Sequence, residues 1–255
     1  MSTIAITGSA GGIGGALARR LEADGHTVIG IDVRDATVIA DLATPAGRSA
    51  MVDAVTQHCD GALDGLVAAA GVTHDDGALV TSINYFGAVA TLDGLRFLLA
   101  AGQNPSAIAL SSNSTTTQPG MTGVLAEACL AGDEDAARAV AGHGVAAYPE
   151  TKLALARWVR RQAVTADWIG AGIRLNAIAP GFIETPMTAE LQSYIFDLGD
   201  VFPIPIARGG QADEVAGLLA YLLGPEAGFF VGSVITMDGG TDAAVRPDDW
   251  PTPRP

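Results

Sequence analysis

Ile4-Ala5-Ile6-Thr7-Gly8-Ser9-Ala10-Gly11-Gly12-Ile13-Gly14 passes from a short apolar run into a glycine cluster, and then into the amphipathic stretch 13–21. An apolar run this short, followed at once by glycine, predicts a buried strand. Glycine lets the backbone turn sharply and lets a bulky anion approach the next helix, whose free N–H groups and dipole favour negative charge. A glycine cluster alone is a weak signal in a chain that holds 32 glycines. Its setting is strong: strand before, helix after, and Asp32 at the end of the next apolar run, 18 positions beyond Gly14. That is close to the spacing of a carboxylate that takes a ribose hydroxyl in a dinucleotide site.

Outward from this unit the same alternation continues. Strands are expected at 28–32, 38–40, 63–69, 107–110, 173–179 and 233–237, and helices at 45–58, 84–99, 148–168 and 213–223. Strands separated by helices imply βαβ units. The fold class is α/β: a Rossmann-type, doubly wound parallel sheet of about seven strands with helices on both faces. One domain is expected over 1–245, with an insertion at 119–147 that carries a helical piece around 125–140. The tail 246–255 holds four prolines and reads as extended, either frayed or docked on a partner subunit.

Composition narrows the partners. The 255 residues are 49% hydrophobic and 16% charged, with a net charge of −14. Phosphate backbones and anionic membrane surfaces need clustered Lys and Arg, so neither nucleic acid nor membrane is an expected partner. The longest apolar stretch, 215–224, is well short of the roughly 20 residues of a spanning helix. Met1-Ser2-Thr3-Ile4 lacks the basic start of a signal peptide, so a cytoplasmic protein is expected. Cys59 and Cys129 give no disulfide framework, and His26, His58, His74 and His143 share no ligand spacing, so no metal is expected.

Two ionisable patterns carry chemistry. Asp32 accepts a bond from a ribose 2′-OH but repels a 2′-phosphate, by up to about 4 kcal/mol per charge pair before screening. NAD is therefore the expected cofactor, with Arg34, two residues on, softening the preference. The chain's one lysine, Lys152, stands four positions after Tyr148 in Tyr148-Pro149-Glu150-Thr151-Lys152. On a helix these two share a face, and a cation there favours the tyrosinate, lowering the Tyr pKa from about 10 toward neutrality. Such a pair is a tunable general acid–base.

These residues resemble the short-chain dehydrogenase/reductase family. Thr7 to Gly14 matches its Thr-Gly-x-x-x-Gly-Ile-Gly motif, and Tyr148 with Lys152 its Tyr-x-x-x-Lys motif. In family order follow Asp41-Leu42, similar to the adenine-contacting pair, and Asn84, where the family has its active-site Asn. Ser112 aligns with the catalytic Ser, and Asn176 and Pro180-Gly181-Phe182-Ile183-Glu184-Thr185 with the segment that contacts the nicotinamide. Met237-Asp238-Gly239-Gly240 resembles the family's last strand ending. The resemblance implies Asn84, Ser112, Tyr148 and Lys152 as the catalytic set. It implies Gly8, Ser9, Gly12, Ile13, Gly14, Asp32, Asp41, Leu42, Ala70, Gly71, Pro180, Gly181, Ile183 and Thr185 as cofactor contacts, with Tyr148 and Lys152 shared. Ser112 and Tyr148 would bond the substrate oxygen, and Tyr148 would carry the proton. Lys152 would bond the nicotinamide ribose and hold down the Tyr pKa, and Asn84 would anchor a proton-relaying water.

Within the family, Gly25-His26-Thr27-Val28-Ile29-Gly30-Ile31-Asp32, Val38-Ile39-Ala40-Asp41-Leu42, Asn84-Tyr85-Phe86-Gly87 and the insertion resemble the bacterial NAD-dependent 3α-hydroxysteroid dehydrogenase/carbonyl reductases. That implies reversible oxidation of a hydroxyl on a bulky apolar substrate. An aromatic or terpenoid alcohol is the alternative, and a non-catalytic NAD-binding regulator a third reading. Two features depart from the family. Ala68-Ala69-Ala70-Gly71 replaces Asn-Asn-Ala-Gly, and Tyr148 follows Ser112 by 36 positions, a gap lengthened by 119–147. The insertion is expected to cover a helical surface that many relatives use for tetramers and to help form a lid. A homodimer through 213–223 and 233–237 would remain. Met121, Leu125, Met187, Leu191 and Phe196 are candidates both for the substrate pocket and for ordinary packing.

Overall fold

A computed structural model describes residues 1–189 and 192–250. The first half runs β1 (Thr3–Thr7), α1 (Gly12–Ala23), β2 (Thr27–Asp32), β3 (Val38–Ile39), α2 (Pro45–His58) and β4 (Gly65–Ala68). Then come α3 (Gly77–Thr81), a π-helical turn (Ser82–Gly87), α4 (Ala88–Gly94), α5 (Arg96–Ala100) and β5 (Ser106–Leu110). The second half holds α6 (Ser114–Thr117), α7 (Val124–Ala131), α8 (Glu134–Val140), α9 (Gly144–Gln162), β6 (Arg174–Pro180) and β7 (Ile183–Glu184). It closes with α10 (Gln192–Asp197), β8 (Gly210–Gln211), α11 (Ala212–Leu223), β9 (Val234–Met237) and α12 (Thr241–Val245).

Seven strands form one sheet in the order β3-β2-β1-β4-β5-β6-β9, every pair parallel. Alternate side chains leave a strand on opposite faces, and each face is buried. Ile4 and Ile6 of β1 pack with Leu17 and Leu21 of α1 and Leu219 and Leu222 of α11. Ala5 faces the other way, toward Met51 and Val55 of α2, Leu92 of α4, and Leu155 and Val159 of α9. The strand order reverses at β1 and β4, which opens a crevice at their carboxyl ends, where open α/β sheets bind ligands. A separate pair, β7 with β8, ties the two ends of the 185–209 excursion together.

Several expected bounds move. The helix expected at 84–99 starts at Gly77, because the Asp76 carboxylate accepts the N–H groups of Ala78 and Leu79 and so caps it. The helix expected at 148–168 spans Gly144–Gln162 instead. His143 caps its start, and Trp168 lies beyond its end, fully buried and edge-on to Trp158 at 5.9 Å. The helix expected around 125–140 is two, broken at Gly132, which takes φ +83°. In the tail, residues 246–250 form turns rather than an extended strand, with Arg246 paired to Asp242 at 2.6 Å; residues 251–255 lie outside the described residues.

Candidate active site

The glycine loop is shaped for close approach. Gly8 adopts φ +72° beneath the backbone of Ala70, and a Cβ on Gly14 would stand 2.4 Å from the Gly8 carbonyl oxygen. Among the described residues no side chain caps the N-terminus of α1, and no acid sits in its first turn, so its N–H groups remain open to an anion. Gly8, Gly12, Ile13 and Gly14 line a cleft of about 380 Å³. Asp32 lines it too, half-buried, its carboxylate accepting the N–H groups of Ala10 at 3.0 Å and Val33 at 2.7 Å. Ala10, Gly11 and Arg34 join this wall, and of these only Arg34 was singled out by the sequence. Ser9 is not in the wall; its hydroxyl is buried against Gly30 with no partner among the described residues. The Thr7 hydroxyl accepts the N–H groups of Ala69 and Ala70 at 3.0 Å each, fastening the exit of β4, where the family's asparagines are missing.

Tyr148 and Lys152 enter the same cleft from α9, and Ser111 and Ser112 from the end of β5. Ser112 acts on the Tyr148 hydroxyl and opposes the rise that burial gives its pKa. Lys152 is buried, and its Nζ donates to the Leu110 carbonyl at 2.9 Å and stands 5.7 Å from the Tyr148 ring centroid. The Ser111 hydroxyl donates to the Lys152 carbonyl at 3.0 Å, which locks α9 to β5. Ala70 and Gly71 complete this wall, and a Cβ on Gly71 would meet both Lys152 Nζ and Asn84 Oδ1 at 3.3 Å. Asn84 itself lies behind the wall, fully buried in the π-helical turn. Its carboxamide accepts from Val72 N–H at 2.8 Å and donates to Val72 C=O at 2.9 Å.

The ionisation balance differs from the expected one. Burial raises the Tyr148 pKa, opposed by Ser112, and burial also lowers Lys152 to about 8. Both groups have lost water, and each penalty acts on one side chain alone. The lysine favours the tyrosinate only while it keeps its own proton.

The far wall comes from Pro180, Gly181, Ile183 and Thr185. Gly181 lies so close to Asp238 that a Cβ would stand 2.6 Å from the aspartate Cβ. Met187 lines the opening and is 45% exposed. Phe196 stands edge-on to Phe182 at 5.8 Å, outside the cleft wall, and Leu191 lies outside the described residues. Asp41 and Leu42 do not line the cleft: Asp41 is exposed with its carboxylate on Ala43 N–H at 2.9 Å, and Leu42 is buried. Asn176 is structural, its carboxamide bridging Phe230 C=O and Ser233 N–H.

The insertion does not roof the cleft, contrary to the expected lid. Among the described residues it packs on α3 and α9, and Leu125 is buried in the core beneath. A residue that sequence reasoning passed over holds it there. Glu150, between Tyr148 and Lys152, accepts the N–H groups of Thr122, Gly123, Leu125 and Ala126 and the Thr122 hydroxyl. These bonds lower its pKa against the opposing effect of burial. Its carboxylate, standing between Tyr148 and Lys152 in the sequence, is the signal that could have found it.

Residues 8–242 match the family described as enoyl-(acyl carrier protein) reductase. The chain is 42% identical over 260 residues to the 3-alpha-hydroxysteroid dehydrogenase/carbonyl reductase of Comamonas testosteroni, covering 98% of this chain and 100% of the relative. It superposes on the crystal structure of the 3-alpha-hydroxysteroid dehydrogenase from Pseudomonas sp. B-0831 complexed with NADH. The TM-score is 0.91 at 46% identity, over 98% of this chain and 100% of the other. It is also 31% identical to a coniferyl-alcohol dehydrogenase of Pseudomonas sp., over 93% of this chain and 95% of that one.

Proposed function

The chain belongs to the short-chain dehydrogenase/reductase family, and from that premise we propose that it interconverts a secondary alcohol and a ketone on a bulky apolar substrate with NAD(H), a 3α-hydroxysteroid or related carbonyl compound being the substrate class. The observation that carries this reading is that Ser112, Tyr148 and Lys152 line the same cleft as the glycine loop and Asp32. The cofactor fits the residues present. The open start of α1 suits its pyrophosphate, the crowding at Gly8 and Gly14 leaves room only for backbone, and Asp32 suits a ribose hydroxyl. When bound, the nicotinamide supplies the hydride acceptor or donor.

The chain's own groups handle the oxygen and its proton. Ser112 and Tyr148 orient the substrate oxygen by two hydrogen bonds. In oxidation the Tyr148 phenolate oxygen takes the hydroxyl proton; in reduction the phenol gives it back. Lys152, fixed by Leu110 and close to Tyr148, favours the phenolate while it is charged. Asn84 holds the Val72 backbone on both its polar groups and so fixes the wall behind Lys152.

The likeness to coniferyl-alcohol dehydrogenase favours an aromatic alcohol as the second reading. One titration separates the readings: NADH fluorescence followed while steroids, then aromatic alcohols and ketones, are added. Steroid turnover supports the first, turnover of aromatic compounds alone the second. Binding without turnover overturns both and leaves an NAD-binding regulator.

Residues 1–245 form one working unit in this reading, with 246–255 as a tail. No helix among the described residues is long and apolar enough to cross a membrane, and a cytoplasmic enzyme is proposed. The proposed assembly is a homodimer through β9, an edge strand, and α11. Phe229 is fully exposed there and Tyr221 is 44% exposed. The insertion packs on α3 and α9, which supports pairing through β9 and α11 rather than through that face. Light scattering that gives a stable tetramer counts against it.

A further inference from the structure

Arg48 of α2 is buried, and its guanidinium donates in three directions. Nε donates to the Leu42 carbonyl at 2.8 Å, and Nη2 to the carbonyls of Ser82 at 3.1 Å and Ala43 at 3.3 Å. Nη1 and Nη2 grip the Glu134 carboxylate with two bonds, at 2.6 and 2.7 Å. One side chain thus joins the loop leaving β3, the start of the π-helical turn that carries Asn84, and the first residue of α8 in the insertion. Arg138 of α8 adds a bond to the Ser82 hydroxyl at 2.6 Å. Arg48, Glu134 and Arg138 are all outside the cleft wall.

The loop leaving β3 lies at the carboxyl edge of the sheet, next to β2, whose last residue Asp32 lines the cleft. In a doubly wound sheet the acid that ends the second strand takes the ribose of the adenosine half, and the loop leaving β3 stands one strand farther out, with Leu42 and Ala43 themselves outside the cleft wall. Leu42 is also wedged against the π-helical turn: a Cβ on Gly87 would stand 3.0 Å from the Leu42 Cβ. A buried guanidinium is tolerated when a carboxylate faces it, and removing one partner leaves an uncompensated charge. Without Glu134, the Arg48 charge loses the carboxylate that faces it, and its hold on the Leu42 and Ala43 carbonyls loosens.

We infer that Glu134 is a positioning residue: acting through Arg48, it fixes the loop at Leu42 and Ala43, so that the insertion sets affinity for the adenosine half of the cofactor. This rests on the reading of the cleft as an NAD(H) site. The chemistry end of the cleft keeps its own fastenings: Ser111 and Lys152 join β5 to α9, and the turn that carries Asn84 stays held by Arg138 and Val72.

Binding of NADH and competition by AMP, together with kcat and KM for NAD+, test this on the full-length protein, on Glu134→Gln, on Arg48→Met and on the double variant. Glu134→Gln is expected to weaken both NADH and AMP by about fivefold or more, while kcat at saturating NAD+ stays within about twofold. The double variant is expected to bind AMP no more weakly than Arg48→Met alone, because Glu134 acts through that residue. Unchanged AMP affinity in Glu134→Gln overturns the inference, and so do effects that multiply in the double variant. If Glu134→Gln fails to fold, Glu134→Asp, whose shorter arm spoils the two-bond grip, is expected to give the same split between AMP affinity and kcat. Native protein that binds neither NADH nor AMP removes the cofactor reading and this inference with it. Native protein that binds both, with Glu134→Gln equal to it, removes only the role of Glu134.

Discussion

Glu150 accepts the Leu125 N–H at 2.8 Å, so a residue of α9, the helix of Tyr148 and Lys152, serves as the cap of an insertion helix 25 positions away. Ordinarily a helix is capped by the residue just before it. Here the anion comes from α9, is only 6% exposed, and takes three further N–H groups and a hydroxyl. Chemistry and insertion therefore share one side chain's neighbourhood.

Replacing Glu150 by Gln turns an acceptor-only group into one that points an amide at other donors. The expected loss is about 2 kcal/mol or more, read by urea denaturation at pH 7. The bonds lower the folded-state pKa of Glu150 below its unfolded value. Its contribution is thus complete above the unfolded value and is lost as pH falls through the folded one. The gap between native and variant protein should be widest near neutrality and should close in acid below the usual carboxylate range. A gap that is absent at pH 7 counts against the capping role.

Lys152→Arg tests the chemistry. Lys152 is 4% exposed, bonded to Leu110, and crowded by Gly71. A guanidinium is larger and planar and cannot act as a compact, titratable charge. The variant is expected to keep its circular dichroism and to lose at least about a hundredfold in kcat. Tyr148→Phe should be at least as severe, and the double variant little worse than either. Near-normal turnover by a folded Lys152→Arg protein would overturn the assignment.

The same lysine weakens the fold. Its folded-state value of about 8 lies below the ordinary one of about 10.4, so between these pH values the unfolded chain binds more protons. The cost is fully present below pH 8 and is relieved as pH rises through 10.4. Lys152→Met is expected to be about 2 kcal/mol more stable at pH 7, after allowance for the orphaned Leu110 carbonyl. At pH 10 the gain should shrink. Denaturation curves at the two pH values check both the size and the direction.

Asp32 is the residue proposed to set the cofactor preference. With its carboxylate half-buried and fixed by Ala10 and Val33, a 2′-phosphate meets a charge that cannot swing away. NAD(H) should be favoured over NADP(H) by at least about tenfold in kcat/KM, or roughly 1.4 kcal/mol. Asp32→Asn keeps an acceptor and removes the charge, leaving Arg34 beside the phosphate position, so the ratio should narrow. Equal kcat/KM values in the native enzyme would remove this role.

Much of this was legible in sequence because it is local. The glycine loop, Asp32 and the four-residue step from Tyr148 to Lys152 each sit on one element or one turn. The π-helical turn at Ser82–Gly87 was not legible, since the residues Ser-Ile-Asn-Tyr-Phe-Gly read as an ordinary helix start. Only the long-range bonds of Asn84 to Val72, and of Ser82 to Arg48 and Arg138, account for its place. Glu150 and Arg48 were missed for the same reason: their partners are distant in sequence. The pKa of Tyr148 was expected to fall because a cation's proximity can be read from spacing, whereas depth of burial cannot.

The small pairing of β7 with β8 makes a cassette of what lies between. Ile183 and Gly210 are neighbours, and Gln211 also bonds to Glu184 at 2.9 Å, so the excursion leaves and returns at one clamped base. Lengthening a loop whose ends are already held costs little, about 0.6 kcal/mol for each doubling. Ile183, on the base, lines the cleft, while Met187, within the excursion, faces its opening. Evolution can therefore rewrite the excursion beyond Thr188, in length as well as composition, without disturbing the wall that ends at Thr185. Divergence in a lineage built this way runs toward new alcohols and ketones on an unchanged redox partner.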